Sequence, residues 1–175
     1  GKHWACHQLS QRASGELILF TDADTRHEPN TLRDSISALI AQNADLLTAF
    51  PLEEMLTWGE KLTVPILGFS IFCYFPILLA EKLHLPALSV TIGQFMLFRR
   101  SAFDAIGGYD AIRSYSVDDI KLGHNIITQG FRWKFMDGTH HITCRMYHNF
   151  SEALDGFTKN IFAVFNHHIL LYWIG

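Results

Sequence analysis

A short apolar run that ends in two aspartates limits what this chain can fold into more than any other stretch. Residues 17–20 are all apolar, and Asp22 and Asp24 lie just beyond them. Near-continuous apolar runs are typical of strands buried on both faces of a mainly parallel sheet, and such sheets bind ligands at the carboxyl ends of their strands. The pattern therefore predicts an α/β domain with both carboxylates at its ligand-binding edge.

Two aspartates one residue apart also indicate a cation site. In extended chain the side chains of Asp22 and Asp24 point the same way. Repulsion between the carboxylates disfavours this arrangement unless a cation lies between them, and Mg²⁺ or Mn²⁺ held together with substrate phosphates has the right chemistry. The pair is equally compatible with a turn that closes the strand and caps a helix.

Composition excludes some classes of partner. The net charge is -3, the pI is near 6.4, and no basic cluster is longer than Arg99-Arg100, so we expect no nucleic-acid binding. Cys6, Cys73 and Cys144 are odd in number and widely spaced, which favours reduced thiols over a disulfide or zinc site. The chain opens without methionine or a signal-peptide pattern, and we expect it to be a segment of a longer protein.

The remaining sequence alternates between helical and strand patterns, which predicts a layered α/β domain. Expected strands cover residues 45–50, 93–99, 131–136 and 142–147. Expected helices cover residues 2–13, start at Pro29 with an apolar face of Leu32, Ile36, Leu39 and Ile40, follow Ser101 and Ser116, and begin again at Ser151. We expect the last helix to become a membrane-associated helix over residues 161–175.

Residues 62–80 carry no charge and are about long enough to cross a bilayer. A single crossing would separate Asp22 and Asp24 from every later motif. We therefore expect a broken helix pair lying in the membrane interface, with breaks at Pro65 and Pro76. A buried helix of a soluble core is the alternative.

A second acid pair opens the helix after Ser116. Ser116 and Asp119 have the spacing of an N-cap serine and an acid three residues later. Acids in a first turn also interact favourably with the helix macrodipole, so Asp118 and Asp119 have a structural explanation without catalysis.

Together these motifs resemble a family 2 glycosyltransferase. The set comprises Thr-Asp-Ala-Asp-Thr, a Gly-Gln-Phe strand followed by Arg-Arg and Gly-Gly-Tyr, the acid pair, and Arg-Met-Tyr before Gly-Phe-Thr-Lys-Asn. The resemblance covers essentially the whole chain and is closest to membrane-associated, ceramide glucosyltransferase-like and carotenoid- or hopanoid-pathway enzymes. It implies a GT-A, Rossmann-like fold with a mixed, mainly parallel sheet. Residues 1–160 would form a partial GT-A domain whose first nucleotide-binding strands lie upstream.

The resemblance also implies roles for single residues. Asp119 matches the general base, and Asp22 and Asp24 match the pair that binds the donor and its metal, Mg²⁺ or Mn²⁺. The other matches are Lys2 and Arg145 on the donor side, and Gly93, Gln94 and Asp118 on the acceptor side. Only Arg145 of the family's Arg-x-x-Arg-Trp motif carries over, because His148 and Asn149 follow where that motif continues.

The implied reaction is an inverting transfer of sugar from a nucleotide-diphosphate sugar, with a UDP-sugar expected, to a lipid acceptor. We expect a membrane-associated protein with its catalytic face in the cytoplasm. Two other functions fit some of the same residues. A haloacid dehalogenase-type phosphatase also has an Asp-x-Asp strand, but it needs threonine where Arg26 stands. A non-catalytic membrane-surface module, or an inactive fragment, is the other alternative.

Overall fold

The computed structural model describes residues 2–113, 115 and 117–164, with side chains up to residue 158. Its helices are α1 (Lys2–Arg12), α2 (Thr31–Ala41), α3 (Trp58–Tyr74), α4 (Ile77–Leu83), α5 (Arg100–Ala105), α6 (Asp118–Thr128) and α7 (Phe150–Val164), with 3₁₀-helices at Pro86–Leu88 and Gly108–Ile112. Its strands are β1 (Leu17–Thr21), β2 (Thr25–His27), β3 (Leu46–Phe50), β4 (Leu52–Glu53), β5 (Phe95–Arg99), β6 (Trp133–Asp137) and β7 (Ile142–Cys144).

The strands form two mixed sheets, in the orders β1-β5-β3-β6 and β2-β7-β4. The predicted α/β class is confirmed, but the expectation of a mainly parallel sheet is wrong for the described strands. β5 is antiparallel to both β1 and β3, β2 is antiparallel to β7, and only the β3–β6 and β4–β7 pairs are parallel. Phe95 pairs with Thr21, so β5 starts at the edge of the sheet where β1 ends.

The core lies around β5 rather than β1. Phe95, Met96, Leu97 and Phe98 are each at most 1% exposed, whereas Ile18 is the one buried residue of β1. Both faces of β1 still contact the core, as predicted, because Phe20 packs with Ile18 in one apolar cluster while Leu17 and Leu19 pack against another. Leu17, Leu19 and Phe20 are only partly buried, so β1 contributes less to the core than β5 does.

Helix α2 begins later than predicted. Asn30 is its N-cap, so Pro29 precedes the helix instead of opening it. Its buried face centres on Leu39 and Thr31, while Leu32 and Ile40 are exposed. The Thr31 hydroxyl donates to the His141 carbonyl at 2.7 Å, which satisfies this buried polar group.

The charge-free segment folds as the predicted broken helix pair. α3 and α4 are bent by 45° at the break before α4, and Pro76 is the N-cap of α4. Pro65 lies inside α3 without ending it, so the break predicted there is wrong. Among the described residues no single helix meets the length and hydropathy needed to cross a membrane, although α3 and α4 together do. The predicted membrane-associated helix over residues 161–175 lies mostly outside the described residues.

Candidate active site

The turn between β1 and β2 holds the first aspartate pair. The Asp22 carbonyl accepts from the Thr25 amide at 3.3 Å and from the Thr25 hydroxyl at 2.7 Å. The Thr21 hydroxyl donates to the Gln94 carbonyl at 3.0 Å, which ties the turn to the start of β5. This arrangement confirms that the pair follows a strand directly and places Gln94 beside it.

Lys2 of α1 joins the two acid motifs. Its ammonium lies 2.7 Å from Asp22 Oδ1 and 3.9 Å from Asp118 Oδ2, and His3 Nε2 lies 3.8 Å from the same Asp118 oxygen. Burial opposes the charge of Lys2, but the hydrogen bond to Asp22 and the charges of Asp118 and Asp119 outweigh it and raise the pKa of Lys2. Aspartates from distant parts of the sequence therefore share one cation.

Asp118 is more than a helix-terminal charge. It is only 8% exposed, and its Oδ2 has no hydrogen-bond partner among the described residues apart from the longer contacts to Lys2 and His3. Ser116 lies outside the described residues, and α6 begins after Val117 with no side-chain cap. The sequence-based explanation by the helix macrodipole accounts for only part of this placement.

Asp119 is aimed across the site at the loop before β5. Its Oδ2 accepts from the Gly93 amide at 3.0 Å and its Oδ1 accepts from the Ile120 amide at 2.8 Å. Burial, followed by repulsion from Asp118, raises the pKa of Asp119 to about 6 despite these bonds. A general base works best with a pKa near the working pH, so Asp119 has the properties of one.

Gly93 leaves little space beside this carboxylate. A Cβ atom added at Gly93 would lie 3.0 Å from Asp119 Oδ2, closer than most such contacts. The sequence placed Gly93, Gln94, Asp118 and Asp119 at one site, and the structure brings them together with Lys2 and Asp22.

Arg145 is held by a residue that sequence reasoning missed. Its Nη2 lies 2.9 Å from Glu60 Oε1, and the Glu60 side chain is fully buried. Glu60 also closes a capping box with Thr57 at the start of α3. The Arg145 guanidinium, followed by backbone and Thr57 donors that offset burial, lowers the pKa of Glu60 to about 2. The Thr57-x-x-Glu60 spacing was a signal in the sequence that could have identified this cap.

The donor role of Arg145 stays a prediction. No contact between Arg145 and Asp22 or Asp24 occurs among the described residues, and its Nε is buried without a partner. A guanidinium has five N–H groups. The ion pair with Glu60 therefore leaves donors free for a phosphate.

The residues present suit a divalent cation that a substrate helps to hold. The described part of the chain contains no group of three His, Cys, Asp or Glu side chains placed to bind a metal. Mg²⁺ usually takes one or two protein carboxylates together with substrate phosphates, so such a group is not required. Asp24 is exposed and makes no hydrogen bond or ion pair with the described side chains, whereas Asp22 is occupied by Lys2. Asp24 is the better placed ligand of the two.

A family model settles the assignment at the level of the family. The model for glycosyl transferase family 21 matches residues 1–151. The chain belongs to glycosyl transferase family 21. The family 2 assignment expected from the motifs is not confirmed, and the ceramide- or hopanoid-type specificity stays a prediction. This family membership removes the support for a haloacid dehalogenase-type phosphatase. No curated protein sequence matches the chain.

One solved structure shows the same fold, and a second is more distantly similar. The mannosyltransferase PcManGT from Pyrobaculum calidifontis, in complex with GDP-Man and Mn²⁺, is 18% identical with a TM-score of 0.55, covering 83% of this chain and 36% of the other. Mannosyl-3-phosphoglycerate synthase from Rubrobacter xylanophilus is 18% identical with a TM-score of 0.48, covering 95% of this chain and 49% of the other. The likeness to PcManGT supports the predicted GT-A fold. The chain spans less than half the length of either structure.

Proposed function

We propose that this chain forms the catalytic part of an inverting glycosyltransferase. It would move a sugar from a nucleotide-diphosphate sugar to a hydroxyl group of a lipid. The observation that carries the proposal is the position of the Lys2 ammonium. It links Asp22, in the turn between β1 and β2 that we call the donor turn, to Asp118, which is next to Asp119. Donor-side and acceptor-side groups are then close enough to act on one substrate pair.

The donor end needs positive charge. When the bond between sugar and diphosphate breaks, negative charge builds up on the diphosphate, and cations placed there lower the barrier. Asp24, with Asp22, would hold Mg²⁺ or Mn²⁺, which when bound would neutralise that charge. PcManGT was solved with GDP-Man and Mn²⁺, which supports this choice of metal. Lys2 can turn from Asp22 to the diphosphate, and Arg145 is the further candidate.

The acceptor end needs a base. The Asp119 carboxylate takes the proton of the acceptor hydroxyl, and the hydroxyl oxygen attacks the anomeric carbon. The bond to the diphosphate breaks, and its electron pair leaves with the diphosphate. A single displacement of this kind inverts the anomeric configuration. General-base catalysis of this type contributes roughly 10²- to 10⁴-fold.

The exposed face of α3 and α4 supports a lipid acceptor. Trp58 is 87% exposed and Leu78 is 83% exposed, and further large apolar side chains on these helices are exposed: Leu62, Ile66, Phe69, Phe72 and Leu83. Exposed apolar patches of this kind mark interaction sites, and a membrane interface is one of them. All three cysteines are free, which fits a catalytic face in the reducing cytoplasm.

Sugar transfer by the full-length protein in lipid vesicles tests this function. With a panel of radiolabelled UDP- and GDP-sugars, we expect label in the lipid fraction that depends on added Mn²⁺ or Mg²⁺. Asp24→Asn should abolish it without loss of fold, because Asp24 is exposed. Asp34→Asn, which changes an exposed aspartate of α2, is the matched control and should transfer normally. Undiminished transfer by Asp24→Asn would refute the donor assignment.

A further inference from the structure

The small sheet carries a row of polar side chains next to the donor turn. Glu53 of β4 pairs in register with Cys144 of β7, and Cys144 pairs in register with Thr25 of β2. Side chains of residues in register across neighbouring strands project from the same face of a sheet. Thr25 directly follows Asp24, so this row of side chains ends next to the turn that holds the proposed metal ligand.

Further interactions identify the neighbours of Cys144 and Glu53 on this face. The Cys144 thiol is buried and shares a hydrogen bond with the Gln94 side chain. The negative charges of Glu53 and Asp24 are near enough to raise the pKa of this thiol. The negative charge of Asp24 also acts on the Glu53 carboxylate and raises its pKa, after the larger effect of burial. The Glu53 carboxylate therefore lies beside the donor turn, near Gln94, the residue before β5.

One oxygen of this carboxylate is left without a partner. Glu53 Oε2 is buried, and no hydrogen bond or ion pair to Glu53 occurs among the described residues. Buried polar atoms are nearly always satisfied, and an unsatisfied one is costly. By contrast its neighbour Glu54 is paired with Arg26 at 3.4 Å. Glu53 is thus an acceptor that the described chain does not satisfy.

The chemistry of the missing partner is limited by its surroundings. An anion in direct contact with Glu53 would be repelled by the Glu53 carboxylate and by the charge of Asp24. A neutral O–H donor satisfies the carboxylate without adding charge.

We propose that Glu53 accepts a hydrogen bond from a hydroxyl group of the sugar being transferred, and so helps to determine which sugar the protein uses. The inference rests on the proposed function, because it places the sugar beside the donor turn. Hydrogen bonds to charged groups are among the stronger ones, so loss of this contact should cost roughly 10- to 100-fold in kcat/KM for the donor.

Donor analogues that each lack one sugar hydroxyl test this proposal in the full-length protein. For the wild type, removal of one particular hydroxyl should lower kcat/KM about 10-fold or more. Glu53→Gln keeps the shape of the side chain and should lose kcat/KM for the intact donor while no longer distinguishing that one analogue. Inhibition by the free nucleoside diphosphate should stay unchanged. Glu54→Gln is the matched control and should behave as the wild type.

The outcomes separate this proposal from the function it rests on. If the wild type transfers sugar but Glu53→Gln still distinguishes every analogue as the wild type does, the role of Glu53 is refuted and the function stands. Weaker binding of the free nucleoside diphosphate to Glu53→Gln would also refute it, because the contact would then be to the diphosphate. If the wild type transfers no sugar from any donor, both proposals fail. Glu53→Asp keeps the charge but moves the carboxylate away from the sugar by one methylene, so it should lose the same discrimination between analogues. This variant replaces Glu53→Gln if that variant does not fold.

Discussion

The pH dependence of Asp119 gives the sharpest prediction about mechanism. Its pKa of about 6 means that the carboxylate is mostly protonated at pH 5 and mostly free at pH 7. A base acts only when it is deprotonated, so kcat/KM should fall as pH drops through about 6 and reach roughly one-tenth of its maximum at pH 5. Asp119→Asn should lose about 10²- to 10⁴-fold of the transfer rate at pH 7 and above, and its residual rate should not fall as pH drops through 6.

The same shift predicts an effect on stability. The folded-state pKa of Asp119 is about 6 against an ordinary 3.8, so the folded protein holds this proton more tightly than the unfolded chain. Stability from this group is present below about pH 4 and is lost as pH rises through about 6. At about 1.4 kcal/mol per pKa unit, the loss is about 3 kcal/mol. Asp119→Asn should therefore gain stability relative to the wild type by about that amount between pH 4 and pH 7.

Two assays check this prediction, and Asp118→Asn serves as the comparison. Transfer rates from pH 5 to pH 8 give the acid limb, and denaturant unfolding at pH 4 and pH 7 gives the stability difference. Asp118→Asn removes the like charge beside Asp119 and should move the acid limb to lower pH. A flat wild-type profile, or more than one-tenth of wild-type transfer by Asp119→Asn, would refute the assignment of the base.

Four further predictions address the surroundings of the site and the membrane topology. Arg145→Met should lower the melting temperature by leaving Glu60 buried without its cation, and Glu60→Gln should lower it less; equal losses would argue against the ion pair. The stabilising effect of Glu60 is present above its ordinary pKa and should fade as pH falls towards about 2, measured as the wild-type difference from Glu60→Gln. Gly93→Ala should reduce transfer with little change in melting temperature, because its methyl group crowds the catalytic carboxylate. Cysteines at the exposed positions Gln42 and Gln129, in a background without other exposed cysteines, should be labelled from the same side of sealed vesicles, and labelling from opposite sides would contradict the membrane proposal.

The strand and turn that hold the first aspartate pair could be predicted because their signals are local. An apolar run followed by Asp22 and Asp24 predicts a strand and a turn wherever that strand lies in the sheet, and both are present. The helix break at Pro76 is also local, because proline lacks the amide hydrogen that would continue α3. Pro65 shows the limit of this rule, since α3 continues through it.

Features set by contacts between distant residues could not be predicted. The direction of β5 depends on where the α3–α4 segment returns the chain to the sheet, and no local pattern encodes this. Arg145 matched a diphosphate-binding motif, but its partner Glu60 lies far away in sequence and is buried only in the folded chain. Glu53 gave no signal at all, because its significance comes from register with Cys144.

The anomeric configuration of the lipid product tests the central claim most directly. The full-length protein should be incubated with its working nucleotide sugar, Mn²⁺ and lipid vesicles, and the glycolipid analysed by NMR. We expect a glycosidic bond of inverted configuration relative to the donor, formed by the wild type and lost in Asp119→Asn. Retention of configuration, or equal product from Asp119→Asn, would contradict a single displacement with Asp119 as the base.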